Sequence, residues 1–193
     1  MDFVVVGLGN PGAEFVNTRH NAGAEVVAEL AARHGRRLKT EKGLFAQVGE
    51  TRIGERRVLL AVPQTFMNES GQAVAPLVRR AGAGARLIVV HDELDLPSGR
   101  VKVKDGGGTA GNNGLKSIDA HLHTNQYLRV RVGIGKPPGR QPGADYVLKR
   151  PGTAERAMLM SAIDTAADAV EAIVADGVEA AMNRVNGASL PEG

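Results

Sequence analysis

Residues 3–8 read Phe3-Val-Val-Val-Gly-Leu8, a mostly apolar run that is rich in β-branched side chains. Such a run is typical of a strand buried inside a sheet. Residues 9–20 are rich in Gly, Asn and Pro, which is typical of a loop. Asn21 then offers an N-cap for a helix over 22–34 that ends at Gly35. This strand, loop and helix predict that the chain opens as an α/β protein.

Strands and helices continue to alternate along the chain. The strands are predicted, from apolar runs and strict alternation, over 44–49, 56–62, 87–91, 100–104 and 127–134. The helices are predicted from Asn68 or Ser70 to residue 81, and over 115–122, 153–175 and 177–185. Pro76 is expected to kink the first of these helices or to mark its true start. Residues 1–193 are therefore expected to form a single α/β domain, a mixed twisted β-sheet flanked by helices, with amphipathic helices at the C-terminal end.

Two of the predicted strands, 100–104 and 127–134, alternate apolar and basic residues. This alternation predicts antiparallel strands near one edge of the sheet. Residues 100–150 hold 10 basic and 3 acidic side chains, a net charge of +7, whereas the whole chain carries only +3. A segment this basic is typical of a surface that binds a polyanion. A solvated basic face is the alternative.

The composition excludes several classes of protein. The chain has 193 residues and no Cys, which excludes disulfides, thiolate metal sites and a Cys nucleophile. Two Tyr, four Phe and no Trp argue against a protein that reads single-stranded nucleic acid mainly by base stacking. The first residues lack a basic segment, and no apolar run reaches about 18 residues. We therefore expect no signal peptide, no membrane span and a cytoplasmic protein.

Gly7-x-Gly9-x-x-Gly12 matches the dinucleotide-binding fingerprint in its letters and follows a predicted strand. Its context does not fit, because Pro11 removes an N–H from the loop and the next helix begins roughly ten residues later, instead of at the third Gly. Gly106-x-Gly108-x-x-Gly111 is a second match to the same pattern, which shows how weak the pattern is. A nucleotide-dependent enzyme therefore remains open only as a weaker alternative.

Other catalytic patterns find little support. The chain has no Gly-x-Ser-x-Gly nucleophile elbow and no P-loop. His121 and His123 are spaced to hold a metal on a strand, but they fall at a predicted helix end without an apparent third ligand. Surface histidines are the favoured interpretation of this pair.

Amide, imidazole and carboxylate side chains recur at the ends of the predicted strands and in the loops that follow them, namely Asn10, His20, Asn68, Asp92 and Asn112-Asn113. Ligands of α/β sheets bind at such strand ends. A neutral His can take a proton from water, a carboxylate can orient the ring, and Asn can donate to a carbonyl oxygen that gains charge. This combination favours hydrolysis of an acyl bond by activated water. The alternative is that Asn and Asp in loops simply make turns.

These segments resemble the bacterial peptidyl-tRNA hydrolase family, whose motifs occur here in the family's order over residues 3–150. The matching stretches are Val6-Gly-Leu-Gly-Asn-Pro-Gly12, Thr18-Arg-His-Asn-Ala-Gly23, Pro63 with Thr65-Phe-Met-Asn68, Ser70-Gly71, His91-Asp-Glu-Leu-Asp-Leu-Pro97, Gly106-Gly-Gly108 with Asn113-Gly-Leu-Lys116, and Arg131-Val-Gly-Ile-Gly135. Each motif is modest alone, and together they are highly specific.

The resemblance implies an enzyme that cleaves the ester between a peptide and the 3′ end of tRNA, which recycles tRNA from chains dropped by stalled ribosomes. It implies that His20 activates water, that Asp92 orients His20 and that no covalent intermediate forms. Asn10 and Asn113 would hold substrate and water near the ester, and Asn68 would contact the peptide backbone. No metal and no cofactor are expected, and the enzyme is expected to act as a monomer.

The resemblance also assigns Lys104 and Arg131 to a basic pair that binds the 5′ phosphate of tRNA. The sequence departs from the family's usual pattern at three positions of the site. Phe15, in the substrate-binding set, stands where a Tyr is common, Ala110 replaces a Gly, and Asn112 replaces a frequent His. Two questions stay open from the sequence. One is whether the chain is instead a non-catalytic RNA-binding protein, and the other is whether residues 136–152 move as a lid.

Overall fold

A central strand, β1 (Phe3–Gly7), organises the sheet in the computed structural model, which describes residues 1–187. Residues 188–193, the end of the predicted domain, lie outside the described residues. The other strands are β2 (Lys39–Glu41), β3 (Ala46–Ile53), β4 (Arg56–Pro63), β5 (Arg86–Glu93), β6 (Val101–Asp105) and β7 (Leu128–Gly133). The helices are α1 (Ala22–Arg33), α2 (Ser70–Ala81), α3 (Asn113–Leu122), α4 (Gly143–Val147), α5 (Thr153–Asp176) and α6 (Val178–Val185).

The seven strands form one mixed sheet in the order β2-β3-β4-β1-β5-β7-β6. Strands β4, β1, β5 and β7 run parallel, so their carboxyl ends meet along one edge of the molecule. Strands β2 and β3 are added antiparallel on one side and β6 on the other. The predicted fold class, a mixed sheet flanked by helices, is confirmed. The predicted antiparallel pairing of the two basic strands is also confirmed, with β6 at the edge and β7 next to it.

Two helical layers cover the sheet. Helices α1, α5 and α6 bury their apolar residues against one face, where Val5, Ile88 and Val90 lie in the core. Helices α2 and α3 cover the opposite face, where Val4, Val6 and Val89 lie. Alternate residues of one strand point to opposite faces, so both faces of β1 are apolar and the strand is a continuous apolar run.

Close contact between α1 and the sheet depends on two glycines. A Cβ on Gly7 would lie 2.2 Å from the carbonyl oxygen of Gly23, and a Cβ on Gly23 would lie 2.1 Å from that of Val90. The backbone of Leu8 is correspondingly bonded to both neighbours, donating to Val90 and accepting from Ala24 at 3.0 Å. Gly7 therefore serves helix–sheet packing.

One local prediction needs correction, and two short elements were not predicted. Helix α2 continues through Pro76, so the proline does not mark its start. Strand β2 was not predicted, because its three residues are all polar. Helix α4 was not predicted either, because it has only five residues; it lies in the segment 136–152, for which the sequence left open whether it moves as a lid.

No helix within residues 1–187 is both long enough and apolar enough to cross a membrane.

Candidate active site

The carboxyl ends of the parallel strands bring the predicted polar residues together. Asn10 and His20 lie in the connection from β1 to α1, and Asn68 lies just after β4. Asp92 is the penultimate residue of β5, and Asn113 is the first residue of α3. Residues that are up to about a hundred positions apart in the chain therefore reach one site because their strands are parallel neighbours.

His20 and Asp92 form a hydrogen-bonded pair, with 2.8 Å between His20 Nδ1 and Asp92 Oδ2. The side chain of His20 is 11% exposed and that of Asp92 is 3% exposed. His20 lies in a 3₁₀ turn, Arg19–Asn21, that enters α1. Because the carboxylate accepts from Nδ1–H, Nε2 is the ring nitrogen that remains to act on a ligand. His20 lines two adjoining cavities, of about 260 Å³ and 350 Å³.

Two opposing effects set the protonation of His20. Burial disfavours the charged ring, but the charge of Asp92 and its hydrogen bond outweigh burial and raise the pKa of His20 above its ordinary value of 6.5. Asp92 therefore favours the imidazolium that forms when the ring takes up a proton as a general base.

Asn10 is fixed in orientation by two partners. The side chain of Asn21 bonds both backbone groups of Asn10, with Oδ1 accepting from the N–H at 2.8 Å and Nδ2 donating to the C=O at 3.0 Å. The side-chain Oδ1 of Asn10 accepts the Met67 N–H at 2.7 Å. With its oxygen occupied, Asn10 presents its amide Nδ2 as a donor. Asn21 stands at the N-cap position predicted for it, yet its side chain makes no capping bond.

The larger cavity collects most of the predicted substrate-binding residues. Its lining comprises Asn10, Phe15, His20, Phe66, Met67, Asn68, Asn113, Ala144, Val147 and Leu148. Phe15 packs edge-to-face on Phe66, with 6.4 Å between ring centroids. Phe15 lacks the hydroxyl of the Tyr that is common at this position, but its ring still forms an aromatic pair at the rim of the cavity. Helix α4, which the sequence did not predict, supplies Ala144 and Val147.

The smaller cavity joins the His–Asp pair to the first turn of α3. Asn112 caps this helix, because its Oδ1 accepts the Leu115 N–H at 3.1 Å. Its Nδ2 lies 3.3 Å from Asp92 Oδ1. Ala110, in the preceding loop, has a φ of 49°, the left-handed region that glycine adopts most easily.

Lys104 and Arg131 lie in a third cavity, of about 200 Å³, on the α2/α3 face of the sheet. Arg131 donates to Glu93 Oε1 at 3.0 Å. Lys104 is exposed, and no carboxylate within residues 1–187 pairs with it. His91 lines this cavity, whereas its neighbour Asp92 points to His20, as strand alternation requires.

Two buried arginines, Arg19 and Arg129, support the site, a role that is not evident from the sequence. Arg129 is 1% exposed, donates to the carbonyl groups of Gly107 and Gly108, and stacks 4.6 Å from the ring centroid of Tyr127. It thereby holds the glycine-rich loop that precedes α3. In the sequence, the only indication of this role is that Arg129 lies on the basic strand β7.

Arg19, next to His20 in the chain, binds the helices behind the site. It forms two hydrogen bonds with Glu155, of 2.8 and 2.9 Å, and donates to the carbonyl oxygen of Tyr146 at 3.0 Å. Its guanidinium lies 3.9 Å from the Tyr146 ring centroid. Residues 146–149 are therefore tied to the turn that carries His20.

The two alternative motifs, Gly7–Gly12 and His121 with His123, have local structures that differ from those of a dinucleotide or metal site. The third glycine of Gly7-x-Gly9-x-x-Gly12 does not open a helix, because two 3₁₀ turns separate it from α1. His121 bonds the Ser117 carbonyl at 2.9 Å, and His123 ends α3. In the described part of the chain, no three His, Cys, Asp or Glu residues cluster in a way that could hold a metal ion.

Known proteins resemble this chain both in sequence and in fold. The family model described as peptidyl-tRNA hydrolase matches residues 4–192. A peptidyl-tRNA hydrolase of Rhodococcus erythropolis is 50% identical over 184 residues, covering 95% of this chain and 97% of the relative. A crystal structure of a peptidyl-tRNA hydrolase with N-propanol is 38% identical, with a TM-score of 0.91 over 98% of this chain and 96% of the other. The enzyme from Acinetobacter baumannii is 38% identical, with a TM-score of 0.89 over 95% and 94% of the two chains. On sequence and on fold alike, the chain belongs to the peptidyl-tRNA hydrolase family.

Proposed function

We propose that the chain hydrolyses the ester bond between the peptide and the 3′ end of tRNA in peptidyl-tRNA. The observation that carries the proposal is the hydrogen bond of 2.8 Å between His20 and Asp92, at the wall of a cavity that also holds three asparagines. Membership of the family agrees with this substrate and with an enzyme, in preference to a non-catalytic RNA-binding protein.

Hydrolysis begins when His20 Nε2 takes a proton from a water molecule whose oxygen attacks the ester carbonyl carbon. Asp92 holds the ring in the tautomer with the proton on Nδ1 and stabilises the imidazolium that forms. The amide donors of Asn10 and Asn113 are available to the carbonyl oxygen as it gains negative charge. Asn68, exposed in the same cavity, is available to the peptide backbone.

The tetrahedral intermediate collapses when the bond between the carbonyl carbon and the ribose 3′ oxygen breaks. His20 returns its proton to that oxygen, which leaves tRNA with a free 3′ hydroxyl. The peptide leaves as a carboxylic acid and ionises at neutral pH. Each atom of the water molecule is thereby accounted for, and no bond to the protein forms.

Water is the proposed nucleophile because the two cavities offer no protein nucleophile in its place. Their lining, among the described residues, contains no Ser, Thr, Cys, Lys or Tyr. The two carboxylates present are already bonded, Asp92 to His20 and Glu93 to Arg131. A covalent route would therefore have to break one of these pairs.

Lys104 and Arg131 are proposed to bind the 5′ phosphate of the tRNA. The pairing of β6 with β7 sets Lys102 opposite Arg131 and Lys104 opposite Arg129, so one face of the sheet edge carries four basic residues. Such a face attracts the nucleic-acid backbone without reading its sequence. We also propose that the enzyme acts as a monomer in the cytoplasm, which light scattering and cell fractionation would test.

The most direct test replaces His20 by Ala. We expect the rate of peptide release from peptidyl-tRNA to fall by about 10²- to 10⁴-fold, because the general base is lost. His123→Asn is the matched control, since it removes an exposed imidazole that lines neither cavity and Asn tolerates the positive φ of 57°. A correctly folded His20→Ala protein with the rate of the control would contradict the proposal.

A further inference from the structure

The carboxylate of Asp92 has a second partner besides His20. Its Oδ2 bonds His20, and its Oδ1 lies 3.3 Å from the Nδ2 of Asn112. Asp92 is 4% exposed, so each carboxylate oxygen needs a protein donor in place of water. Within residues 1–187, Asn112 is the one protein side chain that donates to Oδ1.

The orientation of the Asn112 amide is fixed independently of Asp92. Its Oδ1 accepts the Leu115 N–H at the start of α3, so its Nδ2 must point away from the helix, toward Asp92. The side chain therefore joins the first turn of α3 to the end of β5. An Asn side chain can make both contacts at once, because its amide oxygen accepts and its amide nitrogen donates.

We propose that Asn112 is a positioning residue, which holds the Asp92 carboxylate in the plane that keeps His20 oriented for hydrolysis. The proposal rests on the proposed function, in which His20 is the base. In the proposed reaction, Asn112 contacts neither the attacking water nor the ester, and it acts only through Asp92.

A purely structural role for Asn112, as the cap of α3, makes a different prediction. Asn112→Ser retains a good cap, because Ser and Asn are similar at this position. The hydroxyl that accepts from Leu115 no longer reaches Asp92. The melting temperature should therefore stay within about 2 °C of the wild type. The kcat should fall about tenfold with little change in KM, since a hydrogen bond to a charged group is lost.

The pH profile separates the two roles. If Asn112 holds Asp92, Asn112→Ser loosens the carboxylate, and burial then lowers the pKa of His20. The acid limb of kcat/KM moves to lower pH. Asn112→Asp instead caps the helix and adds a carboxylate near the pair, so the pKa of His20 rises and the limb moves to higher pH.

The other charged groups on the elements around His20 do not interfere with this interpretation, because they are paired with each other or exposed. They are Glu93 with Arg131, Arg19 with Glu155, Glu25 with Arg156, and the exposed Asp145 and Lys149. His91, the remaining titratable side chain next to Asp92, points to the other face of β5, and burial lowers its pKa and favours the neutral ring.

The experiment compares wild type, Asn112→Ser, Asn112→Asp and the control Asn125→Ser, which changes an exposed Asn that lines none of the cavities around the site. The readouts are kcat and KM for peptidyl-tRNA across pH, and the titration of His20 in the free protein by NMR. Opposite displacements of the acid limb and of the His20 titration in the two Asn112 variants support the proposal. A His20 titration in Asn112→Ser that coincides with the wild type would overturn it. Absence of hydrolysis by the wild type would instead count against the proposed function, and the NMR titration would still test the positioning role.

Discussion

Single side chains in this site are oriented by partners far along the chain. Asn10 owes its backbone geometry to Asn21 and its amide orientation to the N–H of Met67, 57 residues away. The sequence could indicate that Asn10 belongs to the site, from its place after a strand and within a family motif. It could not indicate the role of Asn21, because an Asn before a helix is equally well explained as a cap.

Asp92 offers a prediction at this scale. Asp92→Asn removes the negative charge that outweighs burial, so the pKa of His20 should fall below its ordinary value. As a base must be unprotonated, the acid limb of kcat/KM should move to lower pH. The plateau rate should fall by about 10²- to 10⁴-fold, because the neutral amide no longer selects the active tautomer. A rate profile across pH measures both effects, and an unmoved acid limb would show that Asp92 does not control the titration.

At the scale of elements, long and regular patterns were predictable and short or polar elements were not. Strand β5 and helix α5 follow their predicted apolar patterns to within about two residues. Strand β3 begins later than predicted, because Lys42–Leu44 form a 3₁₀ turn and Phe45 has a φ of 51°. Helix α4 contributes to the cavity through packing on Arg19, a tertiary effect that no local pattern encodes.

Pro76 gives a prediction about an element. It lies inside α2 although proline lacks the N–H that would bond the carbonyl of Gln72. Pro76→Ala restores this donor and should raise the free energy of unfolding by about 1–3 kcal/mol. Thermal or urea denaturation would measure the gain, with Ala75→Gly as the opposite control inside the same helix. Equal or lower stability of Pro76→Ala would mean that the proline ring makes packing contacts worth more than the missing bond.

Residues 136–152, for which the sequence leaves open whether they move as a lid, comprise two parts that are held differently. Residues 146–150 are tied down, because Arg19 bonds Tyr146 and Glu155, and Arg150 donates to the Val16 carbonyl at 2.8 Å. Residues 136–142 contain three prolines, Pro137, Pro138 and Pro142, and precede α4. We therefore expect any hinged motion in residues 136–142 and not in residues 146–150. Hydrogen exchange with and without substrate would locate it.

Over the whole molecule, charge is distributed by face. The basic strands β6 and β7 form one edge of the sheet, whereas several acidic residues of α5 are engaged by Arg33 of α1, in the same helical layer. An anionic partner as large as tRNA should therefore approach from the β6 edge. The sequence alone predicted a basic surface from the charge of +7 on residues 100–150, because counting charges requires no knowledge of side-chain contacts.

The binding of tRNA offers a prediction at the scale of the molecule. Lys104→Ala combined with Arg131→Gln should raise KM for peptidyl-tRNA about tenfold or more, with a shallower dependence on salt, because two phosphate contacts are lost. Gln is chosen because it keeps a donor for Glu93. Lys102→Ala, on the same face of β6, controls for a general loss of charge. A short peptidyl-nucleotide ester, which lacks the tRNA body, should be cleaved at an unchanged rate. An equal loss with that ester would refute the phosphate assignment.

One feature of β5 links these scales. Consecutive residues, His91 and Asp92, reach two different cavities because a strand alternates its side chains between faces. The two cavities nevertheless meet in space at the end of the strand, because Glu93 and Ala110 line both of them. His91 also contacts the backbone of the His–Asp pair directly, since its Nδ1 lies 2.8 Å from the carbonyl oxygen of Asp92. Directed evolution of this strand should therefore yield variants at His91 in which KM for peptidyl-tRNA and the rate of its hydrolysis change together.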